Sequence, residues 1–190
     1  MLSNGMDLER EKELVRKAGE DPAAFGELYE EHYGRIYGYV LRRTASVEDA
    51  RDITAEVFIK AFQNISRFNW RGIPFSAWLF RVAGNEITNG FRRSNHRQLL
   101  RQKLIETNGI ADKFLGEEAA QAEDDLQKHE EFLLVHNSLA KLPPQYQEVI
   151  VLHYFERKKL REISDILGKR EGTVKSLLHR GLEKLRKLMQ

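Results

Sequence analysis

Cysteine is absent from the 190 residues, which removes disulfides, thiolate metal sites and thiol nucleophiles together. No run approaches the roughly 18 uncharged apolar residues that a membrane-spanning helix needs. The charged start MLSNGMDLEREKELVRK also lacks the apolar stretch of a secretory signal. A cytoplasmic protein without membrane insertion is therefore expected. Proline occurs only at 22, 74, 143 and 144, and the β-branched alternation of strands is scarce. The predicted fold class is all-α.

Lys and Arg number 31 against 29 Asp and Glu, but that near balance hides a segregation along the chain. The net charge is −5 over 1–31, +3 over 32–73 and +5 over 74–105, then −7 over 106–131, 0 over 132–155 and +6 over 156–190. Two basic blocks thus flank an acidic one, which suits two separate anion-binding surfaces joined by a segment that stays off that anion or competes with it. Solvated helix faces would produce charge blocks of the same kind.

Helix signals start at Asp21-Pro22, a cap residue followed by proline at the first helical position. Phe25, Leu28, Tyr29, Tyr33, Ile36, Tyr37, Val40 and Leu41 then share one face at the helical period. Ser46 opens a second helix with Ala50, Ile53, Val57, Phe58, Ala61, Phe62 and Ile65 on its apolar face. Pro74 starts a third, carrying Phe75, Trp78, Leu79, Val82, Ala83, Ile87 and Phe91, and this first domain is expected over 1–95. Residues 96–130, interrupted by Thr107-Asn108-Gly109 and rich in EEAAQAEDD, read as an acidic linker. A second helical domain over 131–190 has only about 60 residues, close to the lower limit for a core that folds without metal or disulfide.

Within that second domain, 160–180 has the spacing of a helix-turn-helix. Ser164 stands where two helices would cross, Gly168 tolerates the positive φ of the turn, and Ile163, Leu167, Val174 and Leu177 form the shared core. The outward positions Arg170, Thr173, Lys175, Ser176, His179 and Arg180 then offer donors to phosphates and major-groove acceptors. The third helix and the loop before it combine cations with rings: Phe68, Trp70, Phe75, Trp78, Arg81, Asn85, Arg92 and Arg93. That composition fits single-strand capture, in which bases stack on aromatics while arginines hold the backbone. Phe75 and Trp78 are expected to be buried, leaving Phe68, Trp70 and Asn85 exposed. On the second helix Glu48, Asp49, Asp52 and Glu56 crowd together beside Arg51, but no histidine sits at a supporting spacing, so neither metal nor cofactor is expected.

Taken together, LxxLPPQYQEVIVLHYF, LREISDILG and GTVKSLLHRGLEKLRKLM over 136–189 resemble the C-terminal promoter-binding domain of bacterial sigma factors. FGELYEEHYGRIYGYVLRR, SVEDARDITAEVFIKAF and FSAWLFRVAGNEITNGFRR over 25–93 resemble their N-terminal core-binding domain. The order and the short acidic connection match the small extracytoplasmic-function class of the sigma-70 family. The resemblance implies a protein that is not an enzyme but directs core RNA polymerase to promoters. Its second helix would dock on the β′ clamp helices through Glu48, Asp49, Asp52 and Glu56. The loop at 67–73 with Asn85 would accept a base flipped from the -10 non-template strand, with Arg81, Arg92 and Arg93 on the backbone. Lys175, Ser176, His179 and Arg180 match the family's DNA-facing positions at the -35 element, while Leu177 and Gly181 stand where arginine and alanine are common. An anti-sigma factor, released on a stress signal, is the further partner implied.

On the residues alone, two other readings remain: a helix-turn-helix regulator with a ligand-sensing or dimerising N-terminal bundle, and a metal-dependent enzyme using the carboxylates at 48–56.

Overall fold

The computed structural model of the chain describes residues 7–68, 73–90, 135 and 137–189. Trp70, Arg92, Arg93 and the acidic linker lie outside the described residues. Helices alone build the fold, and no strand occurs among the described residues. In chain order they are α1 (Leu8–Lys17), α2 (Pro22–Thr44), α3 (Val47–Asn64) with a 3-10 turn (Ile65–Arg67), and α4 (75–90). There follow α5, described over 137–140, α6 (Pro144–Ile150) running into a π-helical turn (Val151–Phe155), α7 (Leu160–Leu167) and α8 (Glu171–Leu188).

Local chemistry accounts for the boundaries. The Asp21 carboxylate accepts the Ala23 N–H at 2.9 Å ahead of α2, and Ser46 Oγ accepts the Asp49 N–H at 3.1 Å at the start of α3. Each bond satisfies a donor that the first turn of a helix leaves unpaired. Between the two helices Ala45 turns the chain at φ 54°, a left-handed conformation uncommon for alanine.

In the N-terminal body α2, α3 and α4 close on one core. Leu28, Ile36, Tyr39 and Val40 meet Ala50, Val57 and Phe58 from α3 and Phe75, Leu79, Phe80, Ala83 and Ile87 from α4. Phe62, expected on the core face of α3, is instead 46% exposed, because the buried stripe runs 50, 54, 57, 58, 61 and leaves 62 at its edge. The helix α1 was not foreseen; it lays Leu14, Val15 and Ala18 on this body, with one carboxylate, Glu11, buried in the same stripe.

In the C-terminal body Ile163 and Val174 are fully buried, as the helix-turn-helix spacing requires. Leu167 and Leu177 are only partly buried, and Ile166 and Leu178 take the inner places, since the buried side of α8 follows 174, 178 and 181. At Gly181 a Cβ would stand 3.1 Å from Ile150 Cδ1 and 3.2 Å from Tyr146 Cβ. Glycine there lets α8 approach α6 closely.

Beside a buried apolar cluster that includes residues of both bodies, the polar contacts between them are made by arginines. Arg43 on α2 is 1% exposed; its Nη1 donates to the Tyr39 hydroxyl at 2.7 Å and to Glu148 Oε1 at 3.3 Å, and its Nη2 donates to the Pro144 carbonyl at 3.4 Å. Burial holds the Tyr39 phenol far above its ordinary pKa, so it stays a neutral acceptor. A Cβ on Gly84 of α4 would fall on Glu148 Oε1, so a side chain there would make that carboxylate shift from its place beside Arg43. Glu156 lies 3.6 Å from Arg35 and 3.8 Å from Arg42, and the Arg42 guanidinium stands 5.0 Å from the Phe155 ring. Arg81 of α4 donates through Nε to the Ile166 carbonyl at 2.8 Å and through Nη2 to that of Asp165, pairing the last carbonyls of α7.

Removing one member of a buried ion pair strands the other, so Arg43→Ala should lower unfolding free energy by about 3 kcal/mol, measured by urea titration. It should also split calorimetric unfolding into two transitions as the bodies uncouple. Burial pushes the Glu156 carboxyl above its ordinary value, while Arg35 and Arg42 pull the other way. Because the folded value exceeds the unfolded one, the protonated form is the stabilising one: its contribution is complete below about pH 4 and lost as pH rises through the folded value. Glu156→Gln should therefore be at least as stable as the wild type at neutral pH and should lack that decline, a comparison read from urea midpoints across pH.

Candidate nucleic-acid and polymerase interfaces

The recognition surface of the C-terminal body is organised by its turn. Gly168 ends α7 at φ 62°, and the Lys169 N–H and the Ser164 Oγ exchange bonds with the Ser164 and Lys169 carbonyls. Ser164, expected to matter for its small size at a crossing, thus also ties the turn with its hydroxyl. The chain then enters α8 at Arg170. Arg170, Thr173, Lys175, Ser176, His179 and Arg180 all lie exposed on this helix and its entry, as the spacing predicts. His179 Nδ1 sits 3.8 Å from Glu183 Oε2 one turn on.

In the N-terminal body the end of α3, the 3-10 turn and α4 enclose a cavity of ≈ 360 Å³ lined by Lys60, Asn64, Arg67, Phe68, Trp78, Val82, Asn85 and Glu86. Its aromatic wall is one cluster: Phe68 to Trp78 at 5.0 Å, Phe68 to Phe75 at 5.7 Å edge-on, and Phe75 to Trp78 at 5.4 Å. Phe75 is wholly buried behind it, and Trp78 is half-buried rather than buried, which gives its ring a face on the cavity. Lys60 Nζ donates to Glu86 Oε2 at 2.6 Å and lies 3.4 Å from Glu56 Oε1; the Glu86 bond raises its pKa and keeps the ammonium charged. Asn64 Nδ2 donates to the Lys60 carbonyl. Of the predicted strand-contacting residues, the structure brings Phe68 and Asn85 to this cavity. It does not bring Arg81, whose guanidinium is engaged by α7.

Sequence reasoning missed the cation and carboxylate on the wall. Lys60, Asn64 and Arg67 recur at i, i+4 and i+7, the spacing of a polar stripe facing one side, and that signal was readable.

The third surface is the outside of α3. Glu48, Asp49 and Asp52 are exposed, and Glu56 is partly covered by its pair with Lys60. Beside the acids Ile59 and Phe62 stand 50% and 46% exposed, with Tyr29 of α2 adjoining through Phe58. Glu48, Asp52, Ile59 and Phe62 fall on one helical face, so this is a mixed apolar and acidic strip rather than a carboxylate cluster alone. No grouping of three or more His, Asp or Glu suited to a metal occurs among the described residues, and no described helix is long and apolar enough to cross a membrane.

Comparison with known proteins gives these surfaces a common context. Residues 28–97 match Sigma-70 region 2, and residues 132–185 match Sigma-70, region 4. The chain is 32% identical over 192 residues to the ECF RNA polymerase sigma factor SigW of Bacillus subtilis, covering 97% of this chain and 98% of that one. It is 29% identical to the ECF RNA polymerase sigma factor BldN of Streptomyces coelicolor, covering 96% and 67% respectively. Its fold resembles that of CnrH solved with the cytosolic domain of CnrY, at TM-score 0.67 and 22% identity over 95% of this chain and 97% of that one. It also resembles RpoE of Bartonella quintana solved with the anti-sigma factor NepR, at TM-score 0.62 and 20% identity over 87% and 96%. An aromatic-walled body followed by a helix-turn-helix body, matched over nearly the whole length of SigW, places the chain in the ECF class of sigma-70 RNA polymerase sigma factors, the promoter-recognising initiation subunits of transcription.

Proposed function

We propose that the three surfaces divide the work of promoter recognition. The exposed face of α8, with Arg170, Thr173, Lys175, Ser176, His179 and Arg180, enters the major groove of the -35 element. The cavity between α3 and α4 takes a base of the -10 non-template strand, with Phe68 and Trp78 as stacking surfaces and Asn85 offering an amide donor and acceptor to the base edge. By the family pattern Trp70, Arg92 and Arg93, which lie outside the described residues, would also contact the -10 strand. The strip on α3, through Glu48, Asp49, Asp52 and Glu56 together with Ile59 and Phe62, docks on the β′ clamp helices of core polymerase. The observation that carries this reading is the cavity: an open space roomy enough for a base, with rings on one side and Lys60 and Arg67 on its polar side.

Arg81 joins the -10 contacts only after α7 has left it, so capture of the strand requires the two bodies to separate. Docking on core polymerase, which would fix each body to its own site, is the step that supplies this separation. An anti-sigma factor would act at the opposite pole by holding the chain away from polymerase. The proteins CnrH and RpoE, similar in fold, were each solved with a partner bound, and for RpoE that partner is an anti-sigma factor.

Run-off transcription from a randomised DNA library, using bacterial core polymerase with and without the chain, should give defined start sites only when the chain is present. On a promoter recovered this way, Asn85→Ala should cut open-complex formation about tenfold while leaving binding to core polymerase intact. Arg180, placed on a phosphate, should on change to alanine weaken binding at all promoter sequences and lower the slope of log affinity against log salt by about 1. A loss confined to one base pair of the -35 element would instead assign it to base reading.

A further inference from the structure

We propose that Glu11 is a positioning residue for strand capture: its buried carboxylate on α1 fixes the first turn of α4 and thereby the aromatic wall of the cavity. This rests on the reading of the cavity as the -10 base pocket. The helix α1 precedes the 28–97 segment that matches the family's region 2, so its contribution is additional to that match.

The argument starts from a misfit. Positions 11, 14, 15 and 18 form the inner stripe of α1, and three of them are Leu14, Val15 and Ala18. The fourth is a glutamate only 5% exposed. Burying a carboxylate costs several kcal/mol unless partners replace water, so its presence in an apolar stripe calls for a specific partner. There are two. Glu11 Oε2 accepts the Phe75 N–H at 3.2 Å, one of the donors that the N-terminus of α4 leaves unpaired. Glu11 Oε1 lies 3.1 Å from His32 Nε2, off the line of a hydrogen bond. The carboxylate also meets the positive end of the α4 dipole.

From that bond the path to the cavity is continuous. Phe75, held at its backbone by Glu11 and flanked at 5.6 Å by the His32 ring, packs edge-on against Phe68 and at a tilt against Trp78. Phe68 and Trp78 are the aromatic wall. Stacking strength depends on ring placement, and a wall ring displaced by an ångström loses much of its contact with a base. Without Glu11 the first turn of α4 loses the acceptor that fixes it, while the core beneath, built by α2, α3 and the rest of α4, stays in place. The expected defect is therefore in base capture and not in folding or polymerase docking.

The test uses holoenzyme assembled from core polymerase and the full chain. The probe is the non-template -10 single strand of a library-selected promoter, intact or with each nucleotide in turn made abasic. In the wild type one abasic position should lower affinity about tenfold, the worth of a stacked base. Glu11→Met fills the stripe with an apolar side chain of similar length, so it should melt within about 4 °C of wild type and bind core polymerase normally. It should nevertheless bind the intact strand about tenfold more weakly, with no further loss at the abasic position. Glu11→Gln, whose amide oxygen can still accept the Phe75 N–H, should restore most of the abasic contrast.

A Met variant that keeps the full contrast overturns the proposal, as does one that loses affinity equally for intact and abasic strands. If the Met variant does not fold, Glu11→Asp, one methylene short of the Phe75 N–H, must show a reduced contrast. A full contrast there also refutes the role of Glu11. A wild type with no abasic-sensitive position removes the base pocket itself, and Glu11's role with it, so that failure is distinguishable from one confined to the variants.

Discussion

The arrangement of the two bodies depends on one buried guanidinium. Arg43 is almost wholly excluded from water, and its stabilising contacts come from two helices: a phenol one turn back on its own α2, and a carboxylate and the first carbonyl of α6. A charge so deeply buried is tolerable only when all of these are present together. The glycine at 84 follows from the same requirement, because a side chain on α4 would occupy the space that Glu148 needs. Once α2 and α6 are tied at Arg43, the end of α7 comes beside α4 and Arg81 can pair its last carbonyls.

This geometry links the two surfaces proposed above for duplex contact and strand capture. The recognition helix α8 is exposed even while the bodies are together, whereas α4 is partly covered. Duplex contact and strand capture therefore differ in what they demand of the fold. On the proposed reading, the first would use the exposed face of α8, and the second would gain Arg81 only with the bodies apart. The cavity is built wholly within the N-terminal body, so separation would free Arg81 without dismantling the walls.

Much of this was legible in the chain, and the limits have physical causes. The helix-turn-helix was readable because a glycine at φ 62° and the buried Ile163 and Val174 are local requirements met within twenty residues. Asp21-Pro22 and Ser46 announced helix starts for the same reason, since a cap acts on the backbone two or three residues on. The helix α1 escaped notice because Glu11 breaks its apolar stripe, and its partners His32 and Phe75 lie 21 and 64 residues away. Phe62 was misplaced because a 3.6-residue period cannot say which edge of an apolar arc faces water. Arg81 has the right chemistry for nucleic acid, but its bonds to residues 165 and 166 span more than eighty positions. No local pattern encodes such a contact. Sequence spacing therefore anticipated which positions are exposed where a single helix decides it, and could not anticipate contacts made between distant elements.

The choice of arginines and glutamates for the meeting of the bodies has its own logic. Where the contact is apolar, as in the buried cluster that includes residues of both bodies, parting it would expose apolar area at about 25 cal/mol per Å², a cost with nothing in water to offset it. Charged groups regain hydration when they part, so a buried ion pair contributes little net stability relative to separated, solvated partners while remaining sensitive to loss of one member. Glu156 illustrates the balance: its two arginines do not fully offset the desolvation of its carboxylate, and its carboxyl is pushed up as a result. An interface of this composition fixes orientation more than it adds affinity. The free energy needed to part such groups stays small while the closed geometry remains well defined, which is what the proposed opening on polymerase would require.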